Sequence, residues 1–561
     1  MAEPINKVWE LRSPANIEDT WAVFSDTDRF NRVAELGFKF EQLQLSDGTT
    51  RRTGKGVFFA GITAEWEELP WSWKAPEWYR STRRFLGGPA EEMTVQLRLR
   101  PEADGTTAVR YSVSVTPRNF LVRPIVMADI SLSSSPKIER ALSALLTELS
   151  GRGAPPSLAP PPLGAEAEAL LSRARIEPAQ VKTALFDALR SLPLREQDRL
   201  MPLRLASAWG YAADPVILGM LQAVREGVLA MRWELICPSC VGPAQRVERI
   251  SEAARVHCPS CNIWFDRTFP DAVAVSFRAA PALRPDEVPV ECVGSPAKQP
   301  IVILRERLEP EARAEHTLHL KPGAYRVRTW PPRESAILDV HDSPAGDGAA
   351  SFTAHDEGVD PPRVVVGPGE QRITLNSRAS RPIEIAIERT VRPADVLSAG
   401  RLLGMPEARG LLPASLIDPN LKVESLRFTT LGAPPLGGVA QLDRLERLLR
   451  GHSPRRLIVG DRGALATFDT FAQGLAAARA LLAAGYGAAL SVGPGVEVQQ
   501  RASDPIVPMG APVEEALSLL GEAAPGRLLL GRGLEHDPEV SDALRAAGLG
   551  ALVARGGSVV Q

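Results

Sequence analysis

Cysteine is scarce, with five in 561 residues, and four of the five fall in two close pairs, so a disulfide framework is excluded. A charge excess of one sign is missing too, because 65 Lys and Arg stand against 67 Asp and Glu, a net −2. That balance excludes a globally basic coat for nucleic acid or an anionic membrane, although not a local patch. No run of eighteen uncharged apolar residues occurs: the nearest, 471–492, is interrupted by Gln473, Arg479 and Gly485-Tyr486-Gly487. No transmembrane helix is therefore expected. Residues 1–6 carry no basic region and no apolar run follows them, unlike a secretory leader. The expectation is a cytoplasmic protein. At roughly 150 residues per domain its length predicts three or four domains.

What is present changes in texture along the chain. Trp9, Trp21, Trp66, Trp71, Trp73 and Trp78 place six of the ten tryptophans in the first eighty residues. Alternation over 57–69, 71–78, 93–99 and 106–116 predicts strands, and helical spacing over 130–149 predicts a closing helix. One helix on a curved antiparallel sheet lets each element bury its single apolar face. This first domain spans 1–151, and a proline-rich linker with Ala159-Pro160-Pro161-Pro162 follows at 152–164. Residues 165–287 combine a helical part with the cysteines, and 288–392 alternate at period two like a β-sandwich. A connector occupies 393–421, and 422–561 alternate strand and helix as an α/β unit. The predicted fold class is α+β, multidomain.

The chemical signal with the firmest spacing is Cys237-Pro238-Ser239-Cys240 and Cys258-Pro259-Ser260-Cys261, seventeen residues apart. Two such knuckles bring four thiolates around one zinc ion, as in a zinc ribbon. Four thiolates close the shell and leave no place for a catalytic water, so the zinc is structural. A redox dithiol is the weaker reading, since a second matching pair would be redundant. Cys292 reads as a core thiol, and His257 is a spare donor beside Cys258. Upstream, two helical stretches around Trp209-Gly210 lead into a strand and outline a winged helix. Its candidate reading helix offers only Gln222 and Arg225, whereas DNA reading needs several basic and amide side chains on one face. A packing module is the better reading, and a nucleic-acid regulator is kept as a second alternative.

The N-terminal segment resembles the START-like (SRPBCC, polyketide cyclase and lipid-transfer) superfamily. The resemblance rests on Ser13-Pro14, the run from Val23 to Asn31, Trp71-Ser72-Trp73, Arg83-Arg84-Phe85 and Gly87-Gly88-Pro89. It implies a helix-grip fold around an apolar cavity and makes Trp66, Trp71, Trp73 and Trp78 candidate walls for an apolar small molecule. Rings that simply fill space are the competing reading. Residues 163–420 resemble an uncharacterised bacterial domain commonly found upstream of class III nucleotide cyclase domains. The matching features are Pro202-Leu203-Arg204-Leu205-Ala206, Arg232-Trp233-Glu234-Leu235, the four cysteines and Pro322-Gly323-Ala324-Tyr325. This second resemblance implies architecture and no chemistry.

Residues 426–432, 452–468, 490–493 and 510–519 resemble strands and a helix of the class III cyclase domain, a ferredoxin-like α/β fold. The resemblance implies two carboxylates holding two divalent ions on a triphosphate, an asparagine and an arginine for ribose and transition state, and a Lys/Asp pair for the purine. Carried over position by position, the carboxylates are Thr430 and Arg462, the purine pair Ile458 and Val507, the asparagine Glu514 and the arginine Ser518. Asp461 and Asp504 lie nearby but restore neither Thr430 nor Ser518. A hydroxyl is a poor ligand for a hard cation, and a guanidinium facing the metals repels them. In the family each site is shared across a dimer, and this chain lacks both halves. The expectation is a non-catalytic signalling or scaffold protein, a pseudoenzyme with no catalytic residues. It would pair, if at all, as a homodimer or with another cyclase-like chain. The alternative is a cyclase that uses Asp461 as an atypical metal ligand.

Overall fold

The structure is a computed structural model. It describes residues 3–44, 50–58, 62–151, 159–237, 243–247, 255–258, 263–266, 273–284, 294–330, 335–340, 348–389, 395–412, 422–435, 439–460, 463–499, 506–531, 534, 537–549 and 559–560. Among them no helix is long and apolar enough to cross a membrane.

The chain opens with β1 (Ile5–Ser13), α1 (Ile17–Phe24), α2 (Thr27–Val33), β2 (Lys39–Gln44), β3 (Thr50–Phe58) and β4 (Ile62–Glu68). It continues with β5 (Ser72–Lys74), β6 (Trp78–Phe85), β7 (Ala90–Pro101) and β8 (Thr107–Pro117). Then α3 (Arg123–Asp129) runs through a π-helical turn, Ile130–Ser134, into α4 (Ser135–Leu149). Asn16 accepts the Asp19 N–H at 2.8 Å and Asp26 the Arg29 N–H at 3.1 Å, side-chain caps that start α1 and α2. The strands pair antiparallel in the order β1-β8-β7-β6-β4-β3-β2. Every second residue of β8 from Thr107 to Pro117 is buried, the period of a strand with one face on a core. Ile138, Ala141, Leu142 and Leu145 of α4 are buried against that face, the i, i+3, i+4, i+7 stripe of an amphipathic helix. A helix gripped by a curved sheet results.

Next come α5 (Ala165–Arg173), α6 (Ala179–Ser191), α7 (Leu194–Gln197), α8 (Pro202–Trp209) and α9 (Ala213–Arg225). Five short strands follow: β9 (Leu229–Ile236), β10 (Pro243–Val247), β11 (Arg255–Cys258), β12 (Ile263–Asp266) and β13 (Val273–Ala279). A sandwich is then built from β14 (Val302–Leu308), β15 (Arg313–Leu320), β16 (Gly323–Trp330), β17 (Ala336–Val340) and β18 (Ala349–Ala354). It is completed by β19 (Val359–Asp360), β20 (Arg363–Val366), β21 (Gly369–Ser377) and β22 (Ile383–Arg389). Its two layers, β14-β22-β16-β17-β20 and β15-β21-β18-β19, bury Leu304, Val327 and Ile385 against Leu318, Phe352 and Ile373.

The sandwich and the first domain are not separate sheets. β14 pairs antiparallel with β5, Leu304 opposite Lys74 and Arg305 opposite Trp73, so one sheet of thirteen strands runs through both. The Trp73 indole N–H donates to the Val302 carbonyl at 3.0 Å. The Arg305 guanidinium sits 5.4 Å from the Trp73 ring and 4.6 Å from the Trp330 ring, a cation–π clamp across the joint.

The connector supplies β23 (Leu397–Ser398), α10 (Ala399–Gly404) and α11 (Pro406–Leu411). The last domain is β24 (Lys422–Ala433), α12 (Val439–Arg450), β25 (Arg456–Gly460), β26 (Gly463–Phe468), α13 (Phe471–Ala483) and β27 (Ala488–Gln499). It ends with β28 (Val507–Met509), α14 (Ala511–Leu519), β29 (Arg527–Leu530), α15 (Pro538–Ala546) and β30 (Val559–Val560). β24, β25, β26 and β27 are its first to fourth strands, and they lie side by side as fourth, first, third, second, the order of a β-α-β-β-α-β ferredoxin-like unit. Leu445, Leu475, Leu481 and Val540 from α12, α13 and α15 cover one face. Val513 and Leu517 of α14 meet Phe428 and Leu465 on the other. Val496, Val498 and Met509 share a core with α9, β13 and the connector helices.

Gly323 marks where the sandwich meets this domain. Its φ is +137°, and a Cβ there would lie 2.4 Å from the Gly521 carbonyl oxygen. Gly323→Ala combines an unfavourable backbone angle with a clash against main chain, and we expect it to cost about 1–3 kcal/mol. Thermal unfolding of the full chain measures this. Gly367→Ala, whose Cβ meets nothing nearer than 3.9 Å, should be nearly silent, and equal effects from the two would refute the contact.

Candidate functional site: a ring-walled cavity

A cavity of about 70 Å³, counted as space open to the centre of a water molecule, lies between α4 and the curved sheet. One water needs roughly 10–15 Å³ by that measure, so there is room for several waters or a small organic molecule. Trp9, Phe30, Phe38, Trp71, Tyr79 and Tyr111 form most of the wall. Phe30 stacks on Tyr111 at 5.2 Å, and Trp71 leans on Tyr79 at 5.5 Å. Strand alternation sends Met93, Val95, Val113 and Val115 to the same side.

A polar group closes one end. Asn31 comes from α2, Asp129 ends α3, Ser134 ends the π turn, and Ser135 begins α4. The Ser134 hydroxyl donates to Asp129 Oδ2 at 3.0 Å. Ser135 is only 3% exposed, and its Oγ has no hydrogen-bond partner. Leaving a buried hydroxyl unpaired costs about 1–3 kcal/mol, and single π turns in helices frequently occur at functional sites.

Behind the rings lies Glu68, with a side chain 2% exposed. It accepts hydrogen bonds from the Trp66 indole at 2.9 Å, the Trp71 indole at 2.8 Å, the Ser81 hydroxyl at 2.9 Å and Arg83 Nε at 3.1 Å. The Arg83 guanidinium also packs 4.7 Å from the Phe38 ring and 5.1 Å from the Trp66 ring. Trp71, Ser81 and Arg83 all reach the cavity, so one carboxylate fixes three of its wall groups. Fixing wall groups from behind is how a binding surface is preorganised.

Of the four tryptophans singled out from sequence, Trp71 lines the cavity. Trp66 is fully buried one layer back, edge-on to Phe38 at 5.3 Å. Trp73 and Trp78 face the sandwich, Trp73 through Val302 and Trp78 by stacking on His316 at 6.1 Å. Sequence reasoning missed Glu68, Asp129 and Ser135. The one available signal was the cluster Ser131, Ser133, Ser134 and Ser135 inside an apolar helical pattern.

Of the four knuckle cysteines, Cys237 and the backbone of Cys258 are described. Cys237 is buried directly after β9, and β9 pairs antiparallel with β10, Ile236 opposite Pro243. Cys258 ends β11 opposite Ile263 of β12, and His257 is opposite Trp264. Cys240, Cys261 and Cys292, and the side chain of Cys258, lie outside the described residues. Among the described residues no group of three His, Cys, Asp or Glu side chains could hold a metal.

In the last domain Thr430 lies in β24, between Thr467 of β26 and Ser491 of β27. It is fully buried, and the Oγ1 atoms of Thr430 and Thr467 have no hydrogen-bond partner. Ser491 bonds to Glu515 of α14. Ile458 packs on the cluster of Phe428, Leu465, Val513 and Leu517, and Val507 on the core shared with the connector. Glu514 Oε1 accepts the Arg401 backbone N–H of α10 at 3.1 Å. The Ser518 hydroxyl donates to the Glu515 carbonyl of its own helix at 2.8 Å. Asp461, Arg462 and Asp504 lie outside the described residues.

No curated protein matches the chain. Among solved structures, the Zhui aromatase/cyclase from Streptomyces sp. R1128 is similar at 13% identity, over 27% of this chain and 99% of that one, with a TM-score of 0.22. TTHA0849 from Thermus thermophilus is similar at 15% identity, over 27% and 100%, with a TM-score of 0.21. The di-domain ARO/CYC StfQ from the steffimycin biosynthetic pathway is similar at 12% identity, over 27% and 53%, with a TM-score of 0.20. Residues 165–289, which include α5 to α9 and β9 to β13, match a family of unknown function, DUF5939.

Proposed function

We propose that this chain is a non-catalytic signalling or scaffold protein: a START-like first domain senses an apolar small molecule, and a cyclase-shaped last domain has no cyclase chemistry. The observation that carries the sensing role is the ring-walled cavity with the unpartnered Ser135 hydroxyl at its polar end. A ligand with an apolar body and one hydrogen-bonding group would cover the rings and satisfy that hydroxyl. β6 brings Tyr79, Ser81 and Arg83 to the cavity and pairs through β5 to β14. Occupancy thus bears on a strand ladder that continues into the sandwich.

The absence of cyclase chemistry is supported by Thr430, sealed beneath α14, and by Ser518, turned back on its own helix. Metal-assisted phosphoryl chemistry needs acids that reach the bound triphosphate. Glu514 and Val507 are engaged with the chain's own connector region, which favours a scaffold within one chain over cyclase-style pairing. Cys237, Cys240, Cys258 and Cys261 would hold a structural zinc, supplying stability and no reaction.

Thermal unfolding of the full chain against a panel of apolar metabolites, each with one hydroxyl or carbonyl, tests the sensing role. A binder should raise the midpoint, Ser135→Ala should weaken it about five- to tenfold, and Val95→Phe, which fills the cavity, should abolish the shift. No shift across the panel, or an equal shift in Val95→Phe, would count against the proposal.

A further inference from the structure

The outer side of the cavity's lid is apolar. Among the described residues, nine large apolar side chains are markedly exposed, and five of them lie between 120 and 132. They are Phe120 (76%), Leu121 (71%), Ile125 (46%), Met127 (51%) and Leu132 (80%). Leu86 extends the patch, since Arg118 of the same segment donates to the Phe85 and Gly88 carbonyls on either side of it. The charges of 118–137 are Arg118, Arg123 and Lys137, and the single acid, Asp129, is buried toward the cavity. Within the segment every exposed charge is therefore positive, while Arg123 and Lys137 donate to the main-chain carbonyls of Glu3 and Glu35, exposed acids at its border. A neutral chain with one such stretch carries its positive field locally.

We infer that residues 118–137 dock the first domain on an anionic lipid surface. The exposed apolar side chains of the turn before α3, of α3 itself and of the π turn enter the acyl boundary while neighbouring cations meet lipid phosphates. A protein partner would also cover apolar side chains, but a rim of one sign selects a surface of the opposite sign, which an anionic bilayer presents everywhere. The lid contributes Asp129, Ile130, Ser134 and Ser135 to the cavity on its inner side, so docking would place the cavity wall against lipid. The inference rests on the patch and is independent of any ligand.

Cosedimentation of the full chain with phosphatidylcholine vesicles, alone or with roughly a third phosphatidylserine, tests it. The chain should sediment with the mixed vesicles, not with phosphatidylcholine alone, and release in high salt, where surface charges are screened. The combined change Phe120→Ser, Leu121→Ser, Leu132→Ser should weaken vesicle binding at least tenfold. Those side chains are 71–80% exposed, so the fold should survive, and circular dichroism checks that. Val95→Phe should bind vesicles like the parent, which separates this inference from the cavity proposal. Three results would overturn it: no sedimentation with mixed vesicles, equal sedimentation of the triple variant, or a solution dimer that the triple variant dissolves.

Discussion

Glu68→Ala should destabilise the protein by about 3–5 kcal/mol, the usual cost of removing one partner of a buried ion pair. Four donors converge on this carboxylate, and the alanine variant leaves two indole N–H groups, a hydroxyl and a guanidinium facing a dry gap. Solvent screening offers little relief, because the Glu68 and Arg83 side chains are 2% and 7% exposed. Glu68→Gln should cost roughly half as much, since one carbonyl oxygen still accepts while the new amide N–H groups point at donors. Calorimetry of the full chain measures both, with a midpoint drop of about 10 °C expected for alanine. Any ligand affinity should fall alongside, since Trp71 and Arg83 lose their anchor. A loss below about 1 kcal/mol would mean that the carboxylate is not the hub of that wall.

Thr430→Asp, the change that would restore a first metal ligand by resemblance, should fail twice. The position is fully buried among Thr467, Ser491 and α14, with no cation among those neighbours, so a carboxylate there costs about 3 kcal/mol or more. Burial raises the folded-state pKa of the new acid above its unfolded value of about 3.9. The folded state then binds the extra proton, so the variant loses stability relative to the parent as pH rises from about 4 towards 7. Nor should it make cyclic nucleotide from ATP or GTP with Mn²⁺, even combined with Arg462→Asp, since Ser518 still replaces the arginine. A cyclic product from the parent that vanished on mutation of Asp461 would return the chain to the enzymes.

The long elements were the legible ones. β7 and β8 have twelve and eleven residues, enough for alternation to show. Alternation over 71–78 suggested one strand, but the backbone turns at 75–77 and leaves β5 with three residues; its partner β14 lies more than two hundred positions away, so the fused sheet left no local trace. Period two over 71–78 would put Trp71 and Trp73 on one face, but Trp71 precedes β5 and lines the cavity while Trp73 turns to the other domain. Glu68 follows Glu65 and Glu67 in the sequence, and nothing local sets it apart from them. Only the fold brings Trp66, Trp71, Ser81 and Arg83 around it.

The fused sheet also decides where this protein can be divided. Severing the chain in its proline-rich linker removes β14 from β5, taking the carbonyl from Trp73 and the imidazole from beneath Trp78. The margin left behind is aromatic, with open main-chain donors and acceptors, and bare margins of that kind recruit other strands. A fragment meant as an isolated sensor would start life adhesive. The smallest piece that keeps this ladder's margin covered must run on through Arg389, so recombination or engineering has to move the first domain and the sandwich together.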